Sequence, residues 1–135
     1  MPLDNDPDFE ICDDYFIREN GETFAGRHII AELWGAQRLD DAAYIEKTLV
    51  GAAKIAGATV LHSHIHTFDS GGGVTGVVLL SESHISIHTW PERDYAAIDI
   101  FMCGSCDPSK AEEYITGKLL PKRVSSQTLR RGKTA

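Results

Sequence analysis

Apolar and polar residues alternate over several short stretches of this chain, and two longer stretches repeat apolar residues every three to four positions. From Arg27 to Trp34, Ile29, Ala31 and Leu33 alternate with His28, Ile30 and Glu32, the pattern of a strand buried mostly on one side. Thr59 to Phe68, Val74 to Leu80, His84 to Trp90 and Tyr95 to Met102 read as further strands, and Val124 to Leu129 as a short last one. Ser70 to Gly73 is a glycine-rich loop between two of them. A helix starts around Leu39, Asp40 and Asp41, with Asp as its cap, and runs to about Ala56. Ile45, Leu49, Ala52, Ala53 and Ala56 form its apolar stripe, and Gly57 stops it. Asp107-Pro108 opens a second helix, from which Tyr114, Ile115, Leu119 and Leu120 face inward. The condensed order, β-α-β-β-β-α-β, predicts an α+β two-layer sandwich, a mainly antiparallel sheet with both helices on one face. Its other face is then open to a second subunit.

At 135 residues the chain fits one compact domain. Residues 1–25 read as an acidic, flexible leader, and residues 26–135 as the domain. Asp4, Asp6, Asp8, Glu10, Asp13 and Asp14 crowd the N-terminus, while Lys118, Lys122, Arg123, Arg130, Arg131 and Lys133 crowd the other end; both read as solvated. The net charge of -7 argues against nucleic acid as a partner. No apolar stretch approaches the roughly 20 residues of a membrane span, and the acidic start is no signal peptide. Three cysteines make no disulfide framework, so the expected setting is cytoplasmic, with thiols reduced.

Reactive side chains concentrate between positions 81 and 104, where a plain sheet core would hold valine and isoleucine. Three groupings stand out. His62, His64 and His66 share a strand face, as do His84 and His88, and imidazoles bind metals. No HExxH or paired-cysteine knuckle accompanies them, so a polar face or an interface is the plainer reading and no metal is assigned. Cys103-Gly-Ser-Cys106 lies between a strand and a helix start, the placement of a redox dithiol, though without the usual βαβ opening. Cys12 is given no role. Glu82-Ser83 with His88 is the third. No GxSxG elbow supports a hydrolase. A serine at a strained turn can instead attack the carbonyl before it. The resulting ester leaves by β-elimination, and hydrolysis gives a pyruvoyl group, with histidine suited to the proton work. Five positions along a flat strand put Ser83 and His88 on opposite faces, so Ser83 must sit at the turn or a bulge must intervene.

Glu82-Ser83-His84, Ile87-His88-Thr89-Trp90-Pro91-Glu92 and Asp99-Ile100-Phe101-Met102-Cys103-Gly104 resemble the bacterial S-adenosylmethionine decarboxylase proenzymes. Gly26-Arg27-His28, Glu32-Leu33-Trp34-Gly35 and Gly73-Val74-Thr75-Gly76-Val77 extend the likeness to about residues 24–130. The resemblance implies self-cleavage between Glu82 and Ser83 into a β chain, 1–82, and an α chain, 83–135. Ser83 would become the pyruvoyl group, the cofactor that forms a Schiff base with substrate, and no metal is implied. His88 would accept a proton in processing, and Cys103 would donate one in turnover. Phe68 and Trp90 are the aromatic candidates for the adenine and sulfonium of S-adenosylmethionine, and Glu92 for the ribose hydroxyls. Thr75, where many relatives carry serine, keeps a hydrogen-bonding hydroxyl. Such relatives are homodimers or dimers of dimers, and their product is the aminopropyl donor for spermidine. The competing readings are a basic amino acid (ornithine or arginine) decarboxylase on the same scaffold, a non-catalytic His-rich metal-binding protein, and a CxxC redox protein.

Overall fold

The alternating segments at the centre of the sheet become strands because each can bury one side against a helix. The computed structural model describes residues 8–69 and 72–134. In chain order they form β1 (Phe9–Ile11), β2 (Ile17–Glu19), β3 (Glu22–Phe24), β4 (Gly26–Trp34), α1 (Ala42–Ile55), β5 (Val60–Thr67), β6 (Val74–Leu80), β7 (Ser83–Trp90), β8 (Tyr95–Cys103), α2 (Pro108–Leu119) and β9 (Arg123–Arg131). Six strands make the main sheet, in the order β5-β6-β7-β8-β4-β9, and every neighbouring pair is antiparallel. Four strands stand between the helices, so the condensed order is corrected to β-α-β-β-β-β-α-β; it had merged two of the strands read individually.

Registration places the core. Val78, Ile85, Ile100 and Ile29 lie abreast on β6, β7, β8 and β4, all essentially inaccessible to solvent. Each such side chain contributes roughly 1.5–3 kcal/mol by leaving water. Ile45, Leu49, Ala52 and Ala53 of α1, with Ala111, Ile115 and Leu119 of α2, cover that face. Asp41 caps α1 by accepting from the Tyr44 amide, and Asp107 caps α2 by accepting from Ser109. Leu120, read as inward-facing, is instead the left-handed residue ending α2 and is mostly exposed.

Thr89 is a buried polar residue with a structural task. Its hydroxyl donates to the Leu39 carbonyl at 2.7 Å and accepts from the Val74 amide at 2.8 Å, tying the approach to α1 onto the sheet. Thr89→Val keeps the shape but leaves both backbone groups without that partner. The expected loss is about 2 kcal/mol of stability, seen as a lower urea midpoint at an unchanged m value.

The leader reading needs correction for residues 9–24, which form a separate three-stranded antiparallel sheet, β1-β2-β3. Asn20 and Gly21, at φ 53° and 78°, make the two-residue turn between β2 and β3. An Asn-Gly pair joins strands this way because both positions need positive φ. Ile17 and Phe24 are fully buried. The Glu19 carboxylate, itself buried, accepts from Arg27 at 2.8 Å and Arg130 at 2.6 Å, while Arg130 also reaches Glu22 at 2.7 Å. Both guanidinium groups lie over the Phe24 ring, at 5.2 and 4.6 Å. The small sheet is thereby fixed to the start of β4 and the end of β9. The acidic residues 1–7 lie outside the described residues.

Candidate active site

Two clusters occupy opposite ends of strand β7. At its start, Leu80 pairs with Ser83, leaving Ser81 and Glu82 as a two-residue turn. Glu82 is left-handed, at φ 62°, an unfavourable conformation for a residue with a Cβ. Ser83 follows directly, half-buried. Its Oγ accepts from the Cys103 amide at 3.3 Å and lies 3.6 Å from Cys103 Sγ. Cys103 Sγ in turn donates to the Glu82 carbonyl at 3.5 Å. The hydroxyl, the thiol and the carbonyl of one strained peptide thus meet within a few ångströms. Ser83 lies beside the turn but is already paired as the first residue of β7, and no bulge separates it from His88, so the expected relief of their opposite parity is not found.

The other cluster lies where β7 ends. Phe68, Gly73, Thr75, His88, Thr89, Trp90 and Glu92 line a cleft of about 250 Å³. All four residues expected to hold substrate, Phe68, Thr75, Trp90 and Glu92, are therefore together. Thr75 faces His88 across the β6–β7 ladder, its Oγ1 3.1 Å from His88 Nδ1. Phe68 and Trp90 are about half exposed, so their ring faces are available. Trp90, Tyr95 and Trp34 continue as an aromatic row, with ring centroids 5.3 and 4.3 Å apart. Tyr95 donates to Glu32 at 2.6 Å, and burial with that bond pushes its phenol up to about 12. Tyr95 and Trp34 stand in the sequence only as strand ends; the signal for their place in the row is the Trp-Pro-Glu turn, which sets Tyr95 opposite Trp90.

What one chain does not do is bring His88 to Ser83. Pairing runs without interruption from Leu80–Ser83 to Thr75–His88. Five residues of strand separate them by about 17 Å. The expected partnership of the two residues is not made within a single copy.

Between the clusters, the face away from the helices carries a polar group missed in the sequence. His28 Nε2 lies 3.4 Å from Asp99 Oδ1, too poorly aligned to hydrogen-bond, and its ring is 6.1 Å from that of His84. Burial, and then His28, hold the His84 imidazole below its ordinary value. His62, His64 and His66 alternate on the edge strand β5 as expected, mostly exposed. Among the described residues no three His, Cys, Asp or Glu side chains converge as a metal centre requires. Cys106 closes a turn on the Cys103 carbonyl at 3.3 Å, and burial pushes its thiol up. A larger cleft, about 570 Å³, opens on the helices between Ile55, Tyr114 and Lys118 and shares no lining residue with either cluster.

Residues 27–132 match the family model described as S-adenosylmethionine decarboxylase. The chain is 47% identical over 114 residues to the S-adenosylmethionine decarboxylase proenzyme of Persephonella marina, covering 82% of this chain and 85% of that one. It is 51% identical over 110 residues to the protein of that name from Methanococcus maripaludis, covering 79% and 89%. Among solved structures, the adenosylmethionine decarboxylase of Aquifex aeolicus superposes with a TM-score of 0.74 at 44% identity, over 83% of this chain and 94% of that one.

Proposed function

Because the chain belongs to the S-adenosylmethionine decarboxylase family, we propose that it cleaves itself between Glu82 and Ser83 and then decarboxylates S-adenosylmethionine, yielding the aminopropyl donor for spermidine. The observation that carries this reading is the meeting of Ser83 Oγ, Cys103 and the Glu82 carbonyl at a left-handed turn.

The local geometry suits the self-cleavage. Strain at Glu82 is of order 1–2 kcal/mol and is released when its peptide breaks. The Cys103 thiol, aimed at the Glu82 oxygen, stabilises negative charge there as Ser83 Oγ bonds to the Glu82 carbon and the C–N bond breaks. Removal of the Ser83 α-proton then expels Oγ from Cβ, so Glu82 keeps it as a carboxylate oxygen. Water displaces the freed nitrogen as ammonia and leaves a ketone at position 83. That pyruvoyl group, when present, supplies a carbonyl that takes up the substrate amine and draws electrons from the bond to its carboxylate.

The remaining work falls to ordinary side chains. Cys103, already at residue 83, holds the proton due to the substrate carbon. Phe68 and Trp90 offer faces to adenine and sulfonium, and Glu92 accepts from ribose hydroxyls. Thr75 fixes the ring of His88. Since His88 and Ser83 are about 17 Å apart in one copy, a second copy completes the site. Open face packed on open face about a two-fold axis sets the Ser83 end of one sheet beside the His88 end of the other, and makes two equivalent sites. Leu79 and Trp90, exposed on that face, would be buried by it. A cytoplasmic setting keeps the Cys103 thiol reduced, as its task requires.

Mass spectrometry of the purified protein tests the first half. Two chains are expected, 1–82 and 83–135, the second resistant to Edman degradation. Release of labelled CO₂ from S-adenosylmethionine, and none from ornithine or arginine, is expected of the same sample. An intact chain ends the cleavage reading; CO₂ from a basic amino acid alone ends the substrate assignment.

A further inference from the structure

We propose that Tyr15 is a positioning residue for the Cys103 thiol, acting through its backbone carbonyl from a sheet that lies outside the residues the family model matches. The inference rests on the reading of Cys103 as the proton donor in turnover.

Cys103 sits where β8 runs out of partners. On the β4 side its last pairing is with Gly26, and on the β7 side pairing stops two residues earlier, at Phe101 with His84. The Cys103 amide is therefore held by Ser83 Oγ instead of a strand carbonyl. Cleavage removes that acceptor, because Oγ leaves residue 83 with Glu82, and it cuts the Ser81–Glu82 turn as well. Besides its β4 pairing with Gly26 and the Cys106 turn on its carbonyl, Cys103 keeps one tie to the small sheet, at the next residue, where the Gly104 amide donates to the Tyr15 carbonyl at 3.1 Å.

The loop between β1 and β2 is built to present that carbonyl. Tyr15 is left-handed, at φ 69°. The Cys12 amide donates to the Phe16 carbonyl at 2.7 Å and the Tyr15 amide to the Cys12 carbonyl at 2.8 Å. Asp14 Oδ1 accepts from the Phe16 amide at 3.2 Å. Gly104 lies against the Tyr15 ring, where a Cβ would meet Tyr15 Cδ1 at an ordinary 3.6 Å, so it is the φ of 59° and not space that favours glycine there. Through Glu19 the small sheet grips Arg27, on the N-terminal product, and Arg130, on the C-terminal one. It therefore spans the break and can hold the thiol after the turn has gone.

Thiol placement decides where one proton goes. Delivered to the substrate carbon, it completes decarboxylation. Delivered to the former Ser83 Cα, it leaves that residue as alanine, reduced by two electrons, while the substrate carbon departs as an aldehyde carrying the oxygen of a water. Misplacement therefore shows as alanine formed per CO₂ released.

The test uses full-length Tyr15→Pro, Tyr15→Gly and Asp14→Ala. Proline forbids the left-handed conformation and deletes the Tyr15 amide; glycine keeps the conformation and the carbonyl while removing the ring. Tyr15→Pro is expected to cleave like wild type, by intact mass, yet to form about tenfold more alanine per CO₂, read by Edman sequencing. Asp14→Ala, which only loosens the loop, is expected to shift the same ratio less, and Tyr15→Gly to stay near wild type. Wild-type ratios in both Tyr15→Pro and Asp14→Ala overturn the proposal, as does a Tyr15→Gly defect equal to that of proline, or a folded Tyr15→Pro chain that fails to cleave. Failure of the pyruvoyl reading itself looks different: the wild-type chain then stays whole before any variant is made.

Discussion

Ser83→Ala is expected to remain a single chain of 135 residues and to release no CO₂ above background from S-adenosylmethionine. The substitution takes away one atom. The left-handed Glu82, the thiol aimed at its carbonyl and the β6–β7 pairing are all retained. The nucleophile for the N-to-O shift is gone, and with it the oxygen that must leave for a ketone to form. Loss of activity is thus complete instead of graded, which separates this residue from those that merely bind or orient. The fold pays little: the Cys103 amide loses an acceptor at 3.3 Å, and at this half-exposed position water can replace it, so the cost is at most about 1 kcal/mol. Heat denaturation and intact mass on the same sample make the check. A well-folded Ser83→Ala chain that still breaks after Glu82, or still decarboxylates, removes Ser83 from its assigned role.

Much of this arrangement could be read before any coordinates. The strand faces were legible because alternation fixes which side of a sheet is buried: Ile29, Ala31 and Leu33 proved to be core while His28 and Glu32 face the other way. Helix limits followed from Asp41, Gly57 and Asp107-Pro108, whose preferences are local. The cleft residues were legible as a set because the motif holding His88, Trp90 and Glu92 is contiguous, and pairing brings Thr75 to it. The small N-terminal sheet was missed although Asn20-Gly21 announces a hairpin. Its few short strands carry little alternation, and charge dominated the reading of that end. What secures it, Glu19 between Arg27 and Arg130, joins residues more than a hundred positions apart and leaves no local signal. The left-handed Glu82 was hidden for another reason: its side chain has no preference for that conformation, so only the pairing of Leu80 with Ser83 imposes it. Opposite parity for Ser83 and His88 was visible, but the distance between them follows from a strand that has no bulge.

That distance supports the prediction with the sharpest arithmetic. Co-expression of Ser83→Ala with His88→Ala, each inactive alone, is expected to restore decarboxylation to about a quarter of wild type per chain. Random pairing makes half of the dimers mixed, and each mixed dimer has one site with Ser83 from one copy and His88 from the other, while its second site lacks both. Cleavage follows the same count: about half of the His88→Ala chains should split, because the partner supplies the missing imidazole, and no Ser83→Ala chain should. The physical basis is the separate placement of the clusters, with Thr75 Oγ1 engaging His88 Nδ1 at 3.1 Å and no partner for Nε2 among the described residues. Such an imidazole has one nitrogen fixed and the other free to act outside its own chain. A site assembled within one copy would give no restoration at any mixing ratio. Each chain would then keep its own defect, and β7 would have to buckle to close about 17 Å. Activity and cleavage that both stay at zero in the mixed sample, with mixed dimers demonstrated by differently tagged chains, would therefore return the site to a single subunit.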